Sequence, residues 1–182
     1  MTCIVGYRQG STVWLGGDGR ASDPTYSNFS APRCPKVWKQ GNWVWGGLGS
    51  YRGIQLVRNY VKIKEPKKLT EKFLVCELVP TIKAVFENHM FQQKVNEQVS
   101  QESVFMLGGS GRLFTLWSDY SILEVSRDYE AIGMGAEAAL GVFHVLTKNK
   151  KLAPKAVCKQ ALQIAAEYNS AIGPPYKIIS TG

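Results

Sequence analysis

Met1-Thr-Cys-Ile-Val-Gly-Tyr-Arg-Gln-Gly-Ser-Thr-Val-Trp-Leu-Gly-Gly-Asp18 is the stretch on which the fold turns. A threonine stands directly behind the initiator methionine. An apolar run follows, Gly10-Ser11 supplies a turn, and a second β-rich run returns to Gly16-Gly17-Asp18. This reads as a β-hairpin over residues 2–9 and 12–17, and it can lay Asp18 beside residue 2. Both strands are largely apolar, so the sheet is expected to be covered on both faces. If Met1 is removed, Thr2 has a hydroxyl nucleophile and a free α-amine with an unperturbed pKa of about 8, near enough to neutrality to act as its own general base.

Working outward, residues 19–35 contain Pro24, Pro32 and Pro35 among Ser, Asn and Asp, a loop signature. A second strand pair is expected over 36–40 and 43–48 around Gly41-Asn42. A helix follows from Tyr51, where Ile54, Val57, Tyr60 and Val61 recur at helical spacing. Another starts near Thr70, a predicted N-cap with Glu71 in the first turn, and runs towards Met90 with a kink at Pro80. After a polar stretch from Gln92 to Gln101, strand patterns return at 103–107, 113–117, 122–125 and 129–132 as a meander. Helices are then expected from Ala136 and from Leu152-Ala153-Pro154, and a last short strand over 176–180. Strands, two helices, strands, two helices and a strand predict an α+β fold: a four-layer α/β/β/α sandwich of two stacked, mainly antiparallel sheets.

The 182 residues suit one domain, 1–182, able to bury roughly 70% of the surface its unfolded chain exposes. No run of 18 apolar residues and no signal-peptide layout is present, which predicts a soluble cytoplasmic protein with no membrane partner. Cys3, Cys34, Cys76 and Cys158 are widely spaced and only His89 and His144 could complete a metal shell, so no metal, cofactor or disulfide is expected. The net charge of +8 permits an acidic partner. However, Lys62, Lys64, Lys67 and Lys68, and Lys148, Lys150 and Lys151, fall in connections between helices. Solvated connectors explain both clusters, no binding motif accompanies them, and nucleic acid is disfavoured. The tryptophans Trp14, Trp38, Trp43, Trp45 and Trp117 read as core or interface.

T-C-I-V-G at the start, G-G-D-G after the first hairpin, P-K-V, G-L-G-S and A-I-G-M-G-A-E-A-A-L-G stand in register with these elements. Together they resemble the proteasome β-type and HslV-like N-terminal nucleophile (Ntn) hydrolases over nearly the whole chain. The resemblance implies the Ntn-hydrolase fold and a threonine peptidase acting on polypeptide. It also implies a homo-oligomeric ring that hides its sites, fed by an ATP-dependent unfoldase. It puts the nucleophile on Thr2, the aspartate beneath it on Asp18 and the lysine on Lys36, whose alternative reading is an exposed strand-start lysine. The backbone N–H of the oxyanion hole falls on Gly49, with Gly47 as rival. The acidic residue and serine that support the threonine amine fall on Glu167 and Ser170, which otherwise read as an exposed helix end.

One position departs from the pattern: Met134 stands where the family has a serine that assists proton transfer, and a thioether cannot donate a proton. Retention of Met1 would turn the Thr2 amine into an amide and remove its base. Two alternatives follow: a catalytically silent relative with an assembly or binding role, and a small-amide hydrolase on the same fold. Cys3 as nucleophile requires loss of Thr2 as well, and strand alternation points it away from residue 2. Gly108-Gly-Ser-Gly111 lacks the lysine and spacing of a phosphate loop.

Overall fold

The computed structural model describes residues 2–22, 29–30, 33–62, 66, 68–95, 98–148 and 152–182. Met1, Pro24, Pro32, Lys64, Lys67, Lys150 and Lys151 lie outside the described residues. β1 (Cys3–Gln9) and β2 (Thr12–Gly17) form the expected hairpin, with Gly10 at φ 60° in its turn. A two-residue ladder, β3 (Ala21–Ser22) with β4 (Phe29–Ser30), lies within the segment read as loop. β5 (Val37–Gln40) and β6 (Trp43–Gly49) follow. α1 (Tyr51–Tyr60) opens at once behind them, its N-terminus capped by the Ser50 hydroxyl, which accepts from the Arg52 N–H at 3.2 Å.

α2 (Glu71–Phe73) begins at Thr70 as expected, the threonine hydroxyl accepting from the Phe73 N–H at 3.2 Å. Around Pro80 the outcome is more specific than a kink. A π-helical turn, Leu74–Leu78, joins α2 to α3 (Val79–Asn88), the Val79 N–H reaching back to the Leu74 carbonyl. Proline has no N–H and its ring crowds the carbonyl four residues earlier; one wider turn ahead of it absorbs both defects and lets the rod continue.

The polar stretch 92–101 holds a strand pair, β7 (Gln93–Val95) and β8 (Gln98–Ser100), that its pattern does not reveal. β9 (Ser103–Gly109), β10 (Arg112–Leu116) and β11 (Ile122–Glu124) run as the expected meander. The fourth strand corrects it: β12 (Tyr129–Gly133) leaves that sheet and pairs antiparallel with β1, Cys3 opposite Gly133 and Tyr7 opposite Tyr129. The crossing is held by Arg8. Its N–H donates to the Asp128 carbonyl at 2.6 Å and its guanidinium pairs with the Asp128 carboxylate at 3.0 Å. α4 (Ala136–Leu146), α5 (Pro154–Tyr168) and β13 (Lys177–Ser180) complete the chain.

Among the described residues the two large sheets are antiparallel, ordered β12-β1-β2-β13 and β11-β10-β9-β6-β5. Three apolar layers separate four structural ones. Trp45, Phe105, Phe114, Ile54, Leu78 and Phe86 fill the space between the five-stranded sheet and α1–α3. Cys3, Val5, Phe143 and Leu162 fill that between the four-stranded sheet and α4–α5. Ile4, Leu15, Val37, Met106 and Leu113 lie between the sheets. Strand alternation explains the sorting: Cys3 and Val5 face the helices while Ile4 faces the other sheet, so a strand buried on both sides needs apolar residues at every position. The α/β/β/α sandwich expected from the element order is the observed one.

Trp38, Trp43 and Trp45 are core residues as expected, whereas Trp117 is 40% exposed. Lys62, Lys68 and Lys148 are exposed, as solvated connectors should be.

Candidate active site

Thr2 immediately precedes β1 and is buried. Its carbonyl accepts from the Met134 N–H at 3.0 Å just beyond the end of β12. That approach demands glycine at 133: φ is +96°, and a Cβ there would lie 2.2 Å from the Thr2 oxygen. On the other side of β1, the Asp18 N–H donates to the Cys3 carbonyl at 3.2 Å, and the Cys3 N–H donates to Asp18 Oδ1 at 3.0 Å. The backbone on both sides of residue 2 is thus gripped by neighbouring strands.

Beneath it lies a buried ion pair. Lys36, just ahead of β5, donates from Nζ to Asp18 Oδ1 at 2.8 Å and to the Arg20 carbonyl at 2.6 Å. The two side chains are 1% and 0% exposed, which removes the reading of Lys36 as a solvated strand-start residue. Asp18 Oδ2 accepts from the Arg20 N–H at 3.1 Å, so both carboxylate oxygens are engaged. Burial pushes the Lys36 ammonium below the ordinary lysine range, and attraction to Asp18 opposes that shift without reversing it. Burial, followed by the Asp18 charge, pushes the Cys3 thiol up to about 12. A thiol so held is a poor nucleophile, in keeping with its place in the helix-facing core.

Of the two oxyanion candidates, the Gly47 N–H is committed to the Lys36 carbonyl at 2.9 Å, leaving Gly49. Alternation along β6 turns the Gly49 N–H to the same edge, beyond Val37, the first residue of β5, which pairs with Gly46. Gly49 has φ +91° and is exposed. It stands directly ahead of α1, whose positive end carries no acidic residue in its first turn. The Leu48 side chain comes to 3.4 Å from the Cβ position of Gly133, which ties the end of β6 to the cradle around the Thr2 carbonyl.

Glu167 and Ser170 are less closely tied. The Ser170 carbonyl accepts from Arg20 Nη1 at 2.5 Å, joining the end of α5 to the Asp18–Lys36 loop, while the residue itself is exposed. Glu167 is exposed and lines a groove between α4 and α5 with Ala138, Gly141 and Tyr168. Among the described residues its carboxylate makes no hydrogen bond or ion pair. Its charge is nevertheless felt near the site: the Tyr176 phenol is raised by burial and then by Asp18, with Arg20 lowering it and Glu167 raising it. Met134 presents its N–H to Thr2, and the residue is 55% exposed.

Arg20 is the site residue that the motif reading missed. Its carbonyl receives Lys36 and its N–H serves Asp18, and backbone groups leave no residue signature; only the arginine in G-G-D-G-R hinted at the guanidinium link to Ser170. Among the described residues no three His, Cys, Asp or Glu side chains come together as a metal site. The arrangement holds a buried cation on the carboxylate that accepts from the start of β1, one of the parts acyl transfer needs around a hydroxyl nucleophile.

No family model matches the sequence. A curated relative, the ATP-dependent protease subunit HslV of Caldicellulosiruptor saccharolyticus, is 27% identical over 168 residues, 91% of this chain and 89% of that one. Among solved structures, Thiobacillus denitrificans BPH in complex with epoxomicin superposes with a TM-score of 0.84 at 17% identity, covering 98% of this chain and 97% of the other. Eukaryotic HslV from Trypanosoma brucei gives 0.71 at 16% identity, covering 98% of each chain. In sequence the chain is similar to HslV over nine-tenths of its length, and its fold is that of the HslV-like, proteasome-type Ntn hydrolases.

Proposed function

We propose that the chain is a threonine peptidase resembling proteasome β subunits and HslV. It would act as one catalytic domain after removal of Met1. The observation that carries this reading is the buried Lys36–Asp18 pair, whose carboxylate also accepts the N–H of the residue next to Thr2. A desolvated ammonium close below residue 2 favours the ionised form of a neighbouring hydroxyl. The Thr2 oxygen attacks the scissile carbonyl and passes its proton to the Thr2 amine, and the oxyanion is held by the Gly49 N–H at the positive end of α1. Collapse breaks the C–N bond, the amine returns the proton to the leaving peptide, and an ester to Thr2 remains. Water, deprotonated by the same amine, then releases the acyl group and regenerates Thr2.

The similarity to HslV also supports a homo-oligomeric ring, a polypeptide substrate, a cytoplasmic setting and an ATP-dependent unfoldase as partner. Among the described residues no helix is long and apolar enough to cross a membrane. A second reading rests on Met134: with a thioether in place of the helping hydroxyl, the chain would be a silent relative serving assembly or binding.

Intact mass and inhibitor capture separate the two. The peptidase is expected to lack Met1 throughout, to gain the mass of one epoxomicin per chain at Thr2, and to sediment as a ring. Complete retention of Met1, or an absent adduct together with no peptide hydrolysis, supports the silent relative. A monomer at high concentration contradicts the chambered form.

A further inference from the structure

Gln101 is a buried polar side chain that the mechanism above does not use. It is 3% exposed and belongs to no strand, yet its carboxamide closes on both backbone groups of a single residue. Its Oε1 accepts from the Ser103 N–H at 2.5 Å, and its Nε2 donates to the Ser103 carbonyl and, at 3.5 Å, to the carbonyl of Trp117. Its own N–H donates to the Ser118 carbonyl at 3.0 Å. The sheet register gives the reason. Phe105 is paired with Leu116, so alternation along β9 turns the Ser103 N–H and carbonyl towards β10 as well. β10 has ended at Leu116, and the Gln101 carboxamide stands in for the missing strand residue.

What this brace holds is the oxyanion end of β6. Ser103 is the partner of Gly49 in the ladder, and the peptide between Glu102 and Ser103 presses on the Gly49 α-carbon. A Cβ on Gly49 would lie 2.0 Å from the Glu102 oxygen and 3.0 Å from the Ser103 Cα. The φ of +91° at Gly49, which sets where its N–H points, is thus imposed by the peptide that Gln101 locks.

We propose that Gln101 is a positioning residue for the Gly49 oxyanion donor. It acts through the Glu102–Ser103 peptide and touches no reacting atom. The inference rests on the peptidase reading of the site. Loss of the brace lets the 101–103 turn relax, swings the Gly49 N–H off line, and weakens the transition state while leaving ground-state substrate contacts intact; small misplacements of this kind cost up to about a hundredfold.

The test compares wild type, Gln101→Leu, Gln101→Glu and Thr70→Ala, the last removing a helix cap outside the candidate site. In Gln101→Leu, kcat on a fluorogenic peptide is expected to fall about tenfold to a hundredfold with KM within about twofold, and affinity for a peptide aldehyde, which mimics the tetrahedral intermediate, to fall in step. Thr70→Ala loses thermal stability with unchanged kcat. In Gln101→Glu the new carboxyl still accepts from the Ser103 N–H but donates to the Ser103 carbonyl only when protonated, so its kcat relative to wild type rises as the pH is lowered. That readout also serves if Gln101→Leu fails to fold. Unchanged kcat in both Gln101 variants, a change confined to KM, or an equal kcat loss in Thr70→Ala overturns the inference alone. A wild-type protein that neither hydrolyses peptide nor takes up epoxomicin overturns it together with the peptidase reading.

Discussion

Lys36 and Asp18 are held as a pair by burial: each is nearly inaccessible, and neither has solvent to fall back on if the other is removed. Lys36→Met leaves the carboxylate buried with two backbone donors but no cation. It is expected to cost about 3–5 kcal/mol of unfolding free energy, read by urea titration, and to abolish peptide hydrolysis. Met134→Ser tests the departure from the family pattern. The side chain is more than half exposed, so stability should change by less than about 0.5 kcal/mol, while kcat is expected to rise about tenfold or more if the missing hydroxyl limits proton transfer. Asp18 was legible from its place at the end of the first hairpin, and Lys36 from the P-K-V motif that the resemblance singles out. Arg20 was less so, since its links to Asp18 and Lys36 are made by its backbone, which looks alike in every residue. Glu167 and Ser170, three apart, have the spacing that the family resemblance implies, yet spacing alone does not say which side of the helix end meets the sheet.

Hairpin, helix pairs and caps were readable wherever the periodicity was strong. β1 and β2 announce themselves by apolar runs around a glycine turn, and α1 by its spacing behind Ser50. Thr70 opens α2 with a single hydroxyl bond, so Thr70→Ala should cost about 1 kcal/mol in a denaturant titration with an unchanged m-value. β7 and β8 were not legible. Their residues are Gln, Lys, Ser and two valines, without the apolar face that marks a strand, and their pairing is carried by main-chain bonds. The π-helical turn before Pro80 belongs to the same class: the proline signals a disturbance, while its form depends on the packing of Leu74 and Leu78 against the sheet.

Across the whole molecule the buried weak acids set the response to alkali. Burial first of all pushes the Cys3 and Cys158 thiols and the Tyr51 and Tyr120 phenols up to about 12, from ordinary values of 9.0 and 10.0. Below pH 9 both folded and unfolded chains keep these protons and the stabilisation is complete. As pH rises above 9 the unfolded chain ionises first and stability falls until the folded groups titrate. Lys36 opposes the trend, because a lowered ammonium pKa makes the unfolded chain the better proton binder up to its ordinary 10.5. The four acids outweigh it, so urea midpoints are expected to drop between pH 8.5 and pH 11. Cys158→Ala should flatten that slope by up to about 1.4 kcal/mol per pH unit.

The sequence by itself determined the order of elements, the layering and the approach of residue 18 to residue 2, which follow from local alternation, turn residues and the first hairpin; Lys36 was pointed to only by the family resemblance. Only the tertiary structure decided that β12 crosses to β1, that the Gly47 N–H is spent on Lys36, and that Gln101 completes a ladder where β10 stops. Each of these depends on main-chain donors and acceptors meeting across long stretches of sequence. Those groups are the same at every residue except proline, and their partners are chosen by packing and strand edges that no local pattern records.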